Sequence, residues 1–366
     1  MKLRSILTSA AFVLVLGLFT VTHILLPDQQ VSTAERRKLQ QLPRPTLQTV
    51  MNGSYGDKLE DYLLDQFPLR DELRSLKAFW QFEIYRQADN NGIYTVDDQV
   101  LKLDSVLKED EVNALITNTN KIYSDHLQGM HVFFALIPDK NYFVAEEYGY
   151  PALNYDEMDF LLQDGLNRNI SYLGMNPFDA LTLYRYYSTD LHWRQEYLQV
   201  VVNALSQSMN FTAMDLSDCT QTQYSPFYGS YYGQSALNIP PDVLTTLTND
   251  TIAGCVVTSP EYKGEKPVYD KADFEEIDGY NIFLGGPLGI VTVENPNGTT
   301  GKELIIFRDS FASALAPLLM EGYDKITLID LRYLASINVD RFVEFTDQDV
   351  LFLYSTTLVN SGKLLK

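Results

Sequence analysis

Only two cysteines, Cys219 and Cys255, occur in 366 residues, and there are only four histidines. That leaves little material for a metal centre, and no HExxH, CxxC or EF-hand pattern is present. No metal and no cofactor are therefore expected. The cysteines lie in the same middle stretch of the chain and read equally well as a disulfide, if exported, or as two unpaired small residues. Basic residues are scarce as well. Lys and Arg total 28 against 48 Asp and Glu, a formal charge of -20. Nucleic acid, which needs a basic footprint, is excluded as a partner, and so is adsorption of the folded part to anionic lipid. A neutral or sparsely charged ligand fits better. The chain also has no internal repeat and no low-complexity tract.

One long apolar run is present, at the N-terminus. From Ile6 to Leu26 there is no Asp, Glu, Lys or Arg, and Lys2 and Arg4 precede the run. As a helix it would span roughly 30 Å, the thickness of a bilayer core. The basic residues place its start in the cytoplasm and the remainder outside. It reads as an uncleaved signal anchor over residues 1–27, because the run is long and no small-x-small site follows; a cleaved signal peptide is the alternative. Residues 28–50, with Pro43 and Pro45, read as an extended linker, and residues 51–366 as one exported domain in a single-pass cell-membrane protein.

Within that domain, apolar residues recur at helical spacing from Gly56 to Arg86, with Pro68 separating two helices. Glu109 to Leu127 is a further helix. His131 to Ile137 is a short apolar run closed by Pro138, the pattern of a buried parallel strand. The style returns near the C-terminus: strand 304–307 and helix 311–320, strand 325–329 and helix 334–345, then strand 350–354. Alternating strands and helices predict an α/β fold with a parallel sheet flanked by helices. Residues 217–297, rich in Tyr, Gly, Pro and Thr, read as a loop-rich, partly β insertion.

Two places carry candidate chemistry. Ser310, in Arg308-Asp309-Ser310-Phe311, follows a strand and opens a helix, at the sheet edge where α/β proteins hold ligands. A helix N-cap is the plainer explanation of the same junction. Asp190 and His192, in Thr189-Asp190-Leu191-His192-Trp193, stand two apart, so an extended segment projects both side chains to one side. A serine needs such a base, and the base needs a carboxylate to fix its tautomer. Alternatively, Asp190 caps the helix 194–209 and His192 is a packed surface histidine. His23 in the anchor, His126 in a polar helix and His131 at a strand start are worse placed for catalysis.

Together, Asp190-Leu191-His192-Trp193 and Asp309-Ser310-Phe311 resemble the paired signatures of the DHHW protein family. That family is itself similar to the alginate O-acetylation proteins AlgJ and AlgX, with their SGNH hydrolase-like domain. Other pieces fall in family order: Tyr62 to Arg70 (YLLDQFPLR), Ile137 to Lys140 (IPDK), Phe227 to Tyr232 (FYGSYY), Phe283 to Gly289 (FLGGPLG) and Ile329 to Tyr333 (IDLRY). The resemblance implies an SGNH hydrolase-like fold. It implies Ser310 as nucleophile, His192 as general base and Asp190 as the acid that orients it. Arg332, Gly286 and Lys140 are lesser candidates for the oxyanion or substrate site. Tyr231, in one of two tyrosine clusters, is a candidate platform for a sugar ring, with core packing as the alternative.

There are departures from the pattern. Leu191 replaces the first histidine of the family's name. Arg308 stands where many SGNH enzymes have the glycine of Gly-Asp-Ser, and no oxyanion-hole Asn is identifiable. The implied activity is O-acetyl transfer to a cell-envelope polysaccharide, with a membrane acyl-transfer partner of the MBOAT class. A carbohydrate esterase, using water as acceptor, and an inactive envelope scaffold or glycan-binding module are the alternatives.

Overall fold

The computed structural model describes residues 2–365. The chain divides into two compact units: residues 1–91 with 232–239, and residues 92–231 with 240–366.

The second unit is built on a seven-stranded sheet. In chain order its strands are β1 (Val132–Ile137), β2 (Ile170–Gly174), β3 (Val256–Thr258), β4 (Ile290–Glu294), β5 (Glu303–Arg308), β6 (Lys325–Ile329) and β7 (Asp349–Ser355). Across the sheet they lie in the order β2-β1-β7-β5-β6-β4-β3. The five from β2 to β6 are parallel, and β4 runs antiparallel to both of its neighbours. The α/β class is as the strand–helix alternation predicts. The segment read as an insertion supplies the last two strands on one side of the sheet, β4 and the edge strand β3, and a separate antiparallel hairpin of Thr220–Phe227 with Asp242–Thr248.

Both faces of the sheet are covered, which is why its strands are apolar throughout instead of alternating with polar residues. The two-residue pleat then sorts the side chains between two cores. Ala135, Leu304, Ile306, Leu351 and Leu353 pack on one side with the helix Gln199–Met209 and the turns following Ser310. Phe134, Ile305, Phe307, Val350 and Phe352 pack on the other with the helices Glu109–His126 and Tyr155–Gly165.

The expected helix 334–345 does not form; a 3-10 segment, Ser336–Arg341, stands in its place. Ser336 and Asn338 compete for backbone hydrogen bonds, and the β-branched Ile337, Val339 and Val343 pay side-chain entropy in a helix. Helix 311–320 is likewise an α-helical turn, Phe311–Leu315, followed by 3-10 turns. Both cysteines are free thiols.

The first unit carries the helix Lys2–Leu25, of which Leu3–Leu25 is long and apolar enough to cross a membrane, with mean hydropathy 2.1. The helices Ser54–Asp65 and Arg70–Phe79 form as Pro68 predicts. An ionic cluster ties this unit together. Arg70 meets Glu35 with both guanidinium nitrogens (2.7 and 3.2 Å), Arg74 reaches Glu35 at 3.0 Å, and Arg37 forks onto Asp65 (2.5 and 2.8 Å).

Burial alone would raise the Glu35 carboxyl, but the Arg70 hydrogen bond and the charges of Arg74, Arg70 and Arg37 outweigh it and hold the group low. Asp65 is also held low, by the Arg37 hydrogen bond against burial. Folded-state values below the unfolded ones stabilise above the unfolded pKa, and that contribution disappears as pH falls through the folded values. Melting temperature is therefore expected to drop between about pH 5 and about pH 3, and Glu35→Gln to flatten that drop. An equally steep acid limb in Glu35→Gln, followed by circular dichroism, would assign the effect to other carboxylates.

Candidate active site

Ser310 directly follows β5, in the interior of the parallel sheet and at the carboxyl edge of its strands. It is the N-cap residue of the turn Phe311–Leu315, yet its hydroxyl makes no capping hydrogen bond. Asp309 caps instead: its Oδ1 accepts from Phe311 N (3.0 Å), and its Oδ2 accepts from Ser355 N (2.8 Å) and Ser355 Oγ (2.6 Å) at the end of β7. The Ser310 hydroxyl is thereby left for another partner. That partner is His192, whose Nε2 lies 2.7 Å from Ser310 Oγ.

On the far side of the ring, His192 Nδ1 is 2.5 Å from Asp190 Oδ1, which also accepts from His192 N at 3.0 Å. An ionised carboxylate can only accept, so Nδ1 carries the proton and Nε2 is left with a lone pair toward the serine. Asp190 is fully buried and His192 is 6% exposed. A charge-assisted pair in so dry a setting is strengthened by the low dielectric and holds the ring in one orientation. Tyr280 stacks face to face on the imidazole, with centroids 3.8 Å apart and planes 8° from parallel, and Phe311 lies against it at 4.9 Å. These faces keep water off a ring whose two nitrogens are already engaged.

Three supports of this arrangement join segments that are distant in the chain. The glycine-containing loop 227–232 closes over the acid: Ser230 N donates to Asp190 Oδ2 at 2.6 Å and Gly229 N to Thr189 Oγ1 at 2.9 Å. Asp242 receives Ser188 N (2.8 Å), Thr189 N (2.7 Å) and Thr189 Oγ1 (2.6 Å), which fixes the segment just before Asp190. Behind His192, Trp193 Nε1 donates to Phe311 O at 3.1 Å, and Gln195 Nε2 donates to Ala314 O at 2.7 Å. The D-x-H segment is thus stitched directly to the turns that carry Ser310.

A side chain at Gly229 would not fit. Its Cβ would come within 2.3 Å of Thr189 O and 2.4 Å of Asp190 Cβ. Gly229→Ala is expected to push the loop off Asp190 and lower kcat/KM by roughly 10- to 100-fold, the scale of an ångström misplacement in a catalytic site. Turnover of an activated acetyl ester measures this, and an undiminished rate would show that the loop contact is dispensable.

The lesser candidates are engaged elsewhere. Lys140 is buried, and its Nζ donates to the carbonyls of Val100 (2.6 Å), Tyr187 (2.8 Å), Ser188 (3.1 Å) and Asp190 (3.3 Å). Burial pushes its ammonium down to about 7, against the opposing charges of Asp242 and Asp190. It underpins the backbone of the acid and presents no charge to a substrate. Tyr231 is buried beside it, with Lys140 Nζ 5.9 Å from the ring centroid, and packs in the interior. Arg332 binds Asp330 through Nε (2.9 Å) and a terminal nitrogen (2.6 Å). The same buried carboxylate lies 3.7 Å from Arg308, so Asp330 absorbs the arginine that replaces the usual glycine. Gly286, at φ +81°, sits in a tight turn where a Cβ would meet Asn281 Oδ1 at 2.3 Å. Among the described residues no hydrogen bond joins Gly286 to Ser310, and no cluster of metal-ligating side chains occurs.

A family model described as DHHW protein matches residues 161–329, a stretch that contains Asp190, His192 and Ser310. A DHHW family protein from Eubacterium siraeum has a similar structure, with TM-score 0.60 and 20% identity over 75% of this chain and 94% of that one. Bacillus cereus PatB1 is similar at TM-score 0.59 and 20% identity, over 75% of this chain and 98% of PatB1. Its form with a sulfonyl adduct gives TM-score 0.58 and 19% identity over the same shares. The O-acetyltransferase domain of Pseudomonas putida AlgJ aligns more loosely, at TM-score 0.42 and 14% identity over 74% of this chain and 92% of that domain. No curated protein matches the sequence. The resemblance to the DHHW family is borne out, and so is the α/β fold with a mostly parallel sheet flanked by helices.

Proposed function

We propose that this chain, with the DHHW pattern across its site and the DHHW fold around it, is a membrane-anchored extracytoplasmic O-acetyltransferase acting on a cell-envelope polysaccharide. The observation that carries the reading is the hydrogen-bonded line Asp190–His192–Ser310, with its acid fully buried and its base shielded by Tyr280. Ser310 Oγ attacks the carbonyl carbon of an acetyl ester or thioester while its proton passes to His192 Nε2. The departing oxygen or sulfur takes that proton, and the acetyl group remains on Ser310. A sugar hydroxyl then gives its proton to His192 Nε2, attacks the acetyl carbonyl and leaves as the acetylated sugar, and His192 returns the proton to Ser310. Asp190 stays ionised and stabilises the imidazolium in both halves.

The small exposure of His192 favours transfer over hydrolysis, since a base lined by Tyr280 and Phe311 admits bulk water poorly. The membrane-length helix supports tethering beside a membrane partner of the MBOAT class that supplies the acetyl group, because tethering raises effective concentration.

The test is to incubate the full chain with an activated acetyl ester, locate the acetyl group by peptide mass spectrometry, and then add oligosaccharide. Acetyl on Ser310 that moves to the sugar faster than to water is the expected result. Acetyl on Ser310 lost only to water would make the chain an esterase. No adduct, with an acetyl ester or with a sulfonyl fluoride of the kind that PatB1's adduct suggests, would refute a serine enzyme.

A further inference from the structure

The loop between the two helices of the first unit packs against the membrane-length helix well below that helix's end. Phe67 stacks on Phe19 with ring centroids 5.1 Å apart and planes 26° from parallel. Above this contact, His23 lies edge-on to Tyr62 at 5.5 Å, and its Nδ1 is 3.0 Å from Gln66 O. Gln66 also exchanges a pair of 2.9 Å hydrogen bonds with the backbone of Gln29, and the Tyr62 hydroxyl donates to Asp28 Oδ1 at 3.0 Å. The loop is therefore moored at a fixed height along the helix.

That height is informative. Leu3–Leu25 is 23 residues long, about the length that a bilayer core requires, so its last residues mark the core's boundary. Phe19 lies six residues before Leu25, roughly 9 Å below it along the axis. Whatever stacks on Phe19 is carried to that depth. The side chains that point outward there are apolar: Leu63 is 47% exposed, Leu64 59%, Phe67 40% and Leu69 60%.

Leu69 adds a second, independent oddity. It sits in the left-handed region, at φ +57° and ψ +31°, where glycine or asparagine is the usual choice. A bulky residue held in a disfavoured conformation with most of its side chain exposed gains little apolar burial from its own unit. Asp65, Arg70 and Arg74 are drawn the other way, into the Glu35–Arg70–Arg74 and Arg37–Asp65 pairs, while Asp71 beside the turn stays exposed.

We infer that the Phe67–Leu69 turn, with Leu63 and Leu64, is a second membrane contact that inserts into the headgroup–acyl boundary beside the spanning helix. The occupant of this apolar face is lipid, because the face is continuous with the lipid-facing side of a helix of membrane length. It rests on reading Leu3–Leu25 as a membrane span, and it is independent of the enzymatic reading. Such a turn would fix the tilt and rotation of the helix in the bilayer, as interfacial apolar anchors do.

The experiment uses the full chain in phosphatidylcholine vesicles, with Cys219→Ser and Cys255→Ala removing the native thiols. Single nitroxide labels are placed at Leu16→Cys, Leu69→Cys and Gln128→Cys. Power saturation then compares collisions with oxygen, which partitions into lipid, and with a water-soluble nickel chelate. The expected result is an oxygen-to-nickel ratio at position 69 that is several-fold above that at 128 and close to that at 16. A lipid-like label at 16 with a water-like label at 69 overturns the inference while leaving the span intact. A label at 69 shielded from both agents also overturns it, in favour of a protein partner or a second copy. A water-like label at 16 refutes the span itself.

Discussion

Ser310→Ala is expected to abolish acetylation of the protein and to lower turnover by at least about 10⁴-fold, while leaving the melting temperature unchanged. The pairing of those two outcomes separates a nucleophile from a helix cap. A serine whose hydroxyl caps a helix contributes about 0.5–2 kcal/mol, which alanine removes. In this protein the Ser310 hydroxyl makes no capping bond, and the work is done by Asp309, which accepts from Phe311 N and from Ser355. Removing Ser310 Oγ thus deletes only the 2.7 Å contact with His192. Asp309→Ala should do the reverse, lowering the melting temperature because Ser355 N and Phe311 N, both buried, lose their acceptor. A Ser310→Ala protein with normal turnover would end the serine mechanism; one that melts early with normal acylation chemistry elsewhere would restore the capping role.

Much of this was legible in the chain, for reasons that are local. The run His131–Ile137 and its C-terminal counterparts are apolar without alternation because helices cover both faces of the sheet, and that pattern survives in one dimension. Asp190 and His192 could be paired because an extended segment puts alternate residues on one side, and Ser310 because it follows a strand. What the residues alone could not supply were contacts between distant segments. Nothing about Gly229 or Ser230 announces that their amides close over residues 189 and 190 some 40 positions earlier. Tyr280 is one of 24 tyrosines, and only the fold selects it as the one stacked on His192. Lys140 misled for the converse reason. A lysine at a strand end suggests a charge offered to ligand, but four backbone carbonyls surround it in the interior. Strands β3 and β4 were hidden in the tyrosine-rich segment because β3 is only three residues long and pairs only with β4, whose own pairing with β6 spans other elements of the chain.

Asp190→Asn is the sharper test of how the base is prepared, because the change is nearly isosteric. Asp190 uses both carboxylate oxygens: Oδ1 accepts from His192 Nδ1 and His192 N, and Oδ2 accepts from Ser230 N. An asparagine has one oxygen and one NH₂ to place in those positions. If the NH₂ faces Ser230 N, two donors oppose each other in a buried site, at a cost of roughly 1–3 kcal/mol. If it faces His192, the imidazole must accept at Nδ1, and its proton moves to Nε2. The nitrogen nearest Ser310 then has no lone pair to receive the serine proton. That second arrangement keeps the loop amide satisfied but opposes His192 N with a donor instead, so either placement costs one buried hydrogen bond; it predicts a loss of about 10⁴-fold in kcat. With only four histidines in the chain, nitrogen NMR of the ¹⁵N-histidine protein can read which ring nitrogen of His192 carries the proton. The wild type should show it on Nδ1 and Asp190→Asn on Nε2, in step with the lost turnover. Full activity in Asp190→Asn would mean that the His192 tautomer is set elsewhere, and that the buried acid serves the 227–232 loop instead of the chemistry.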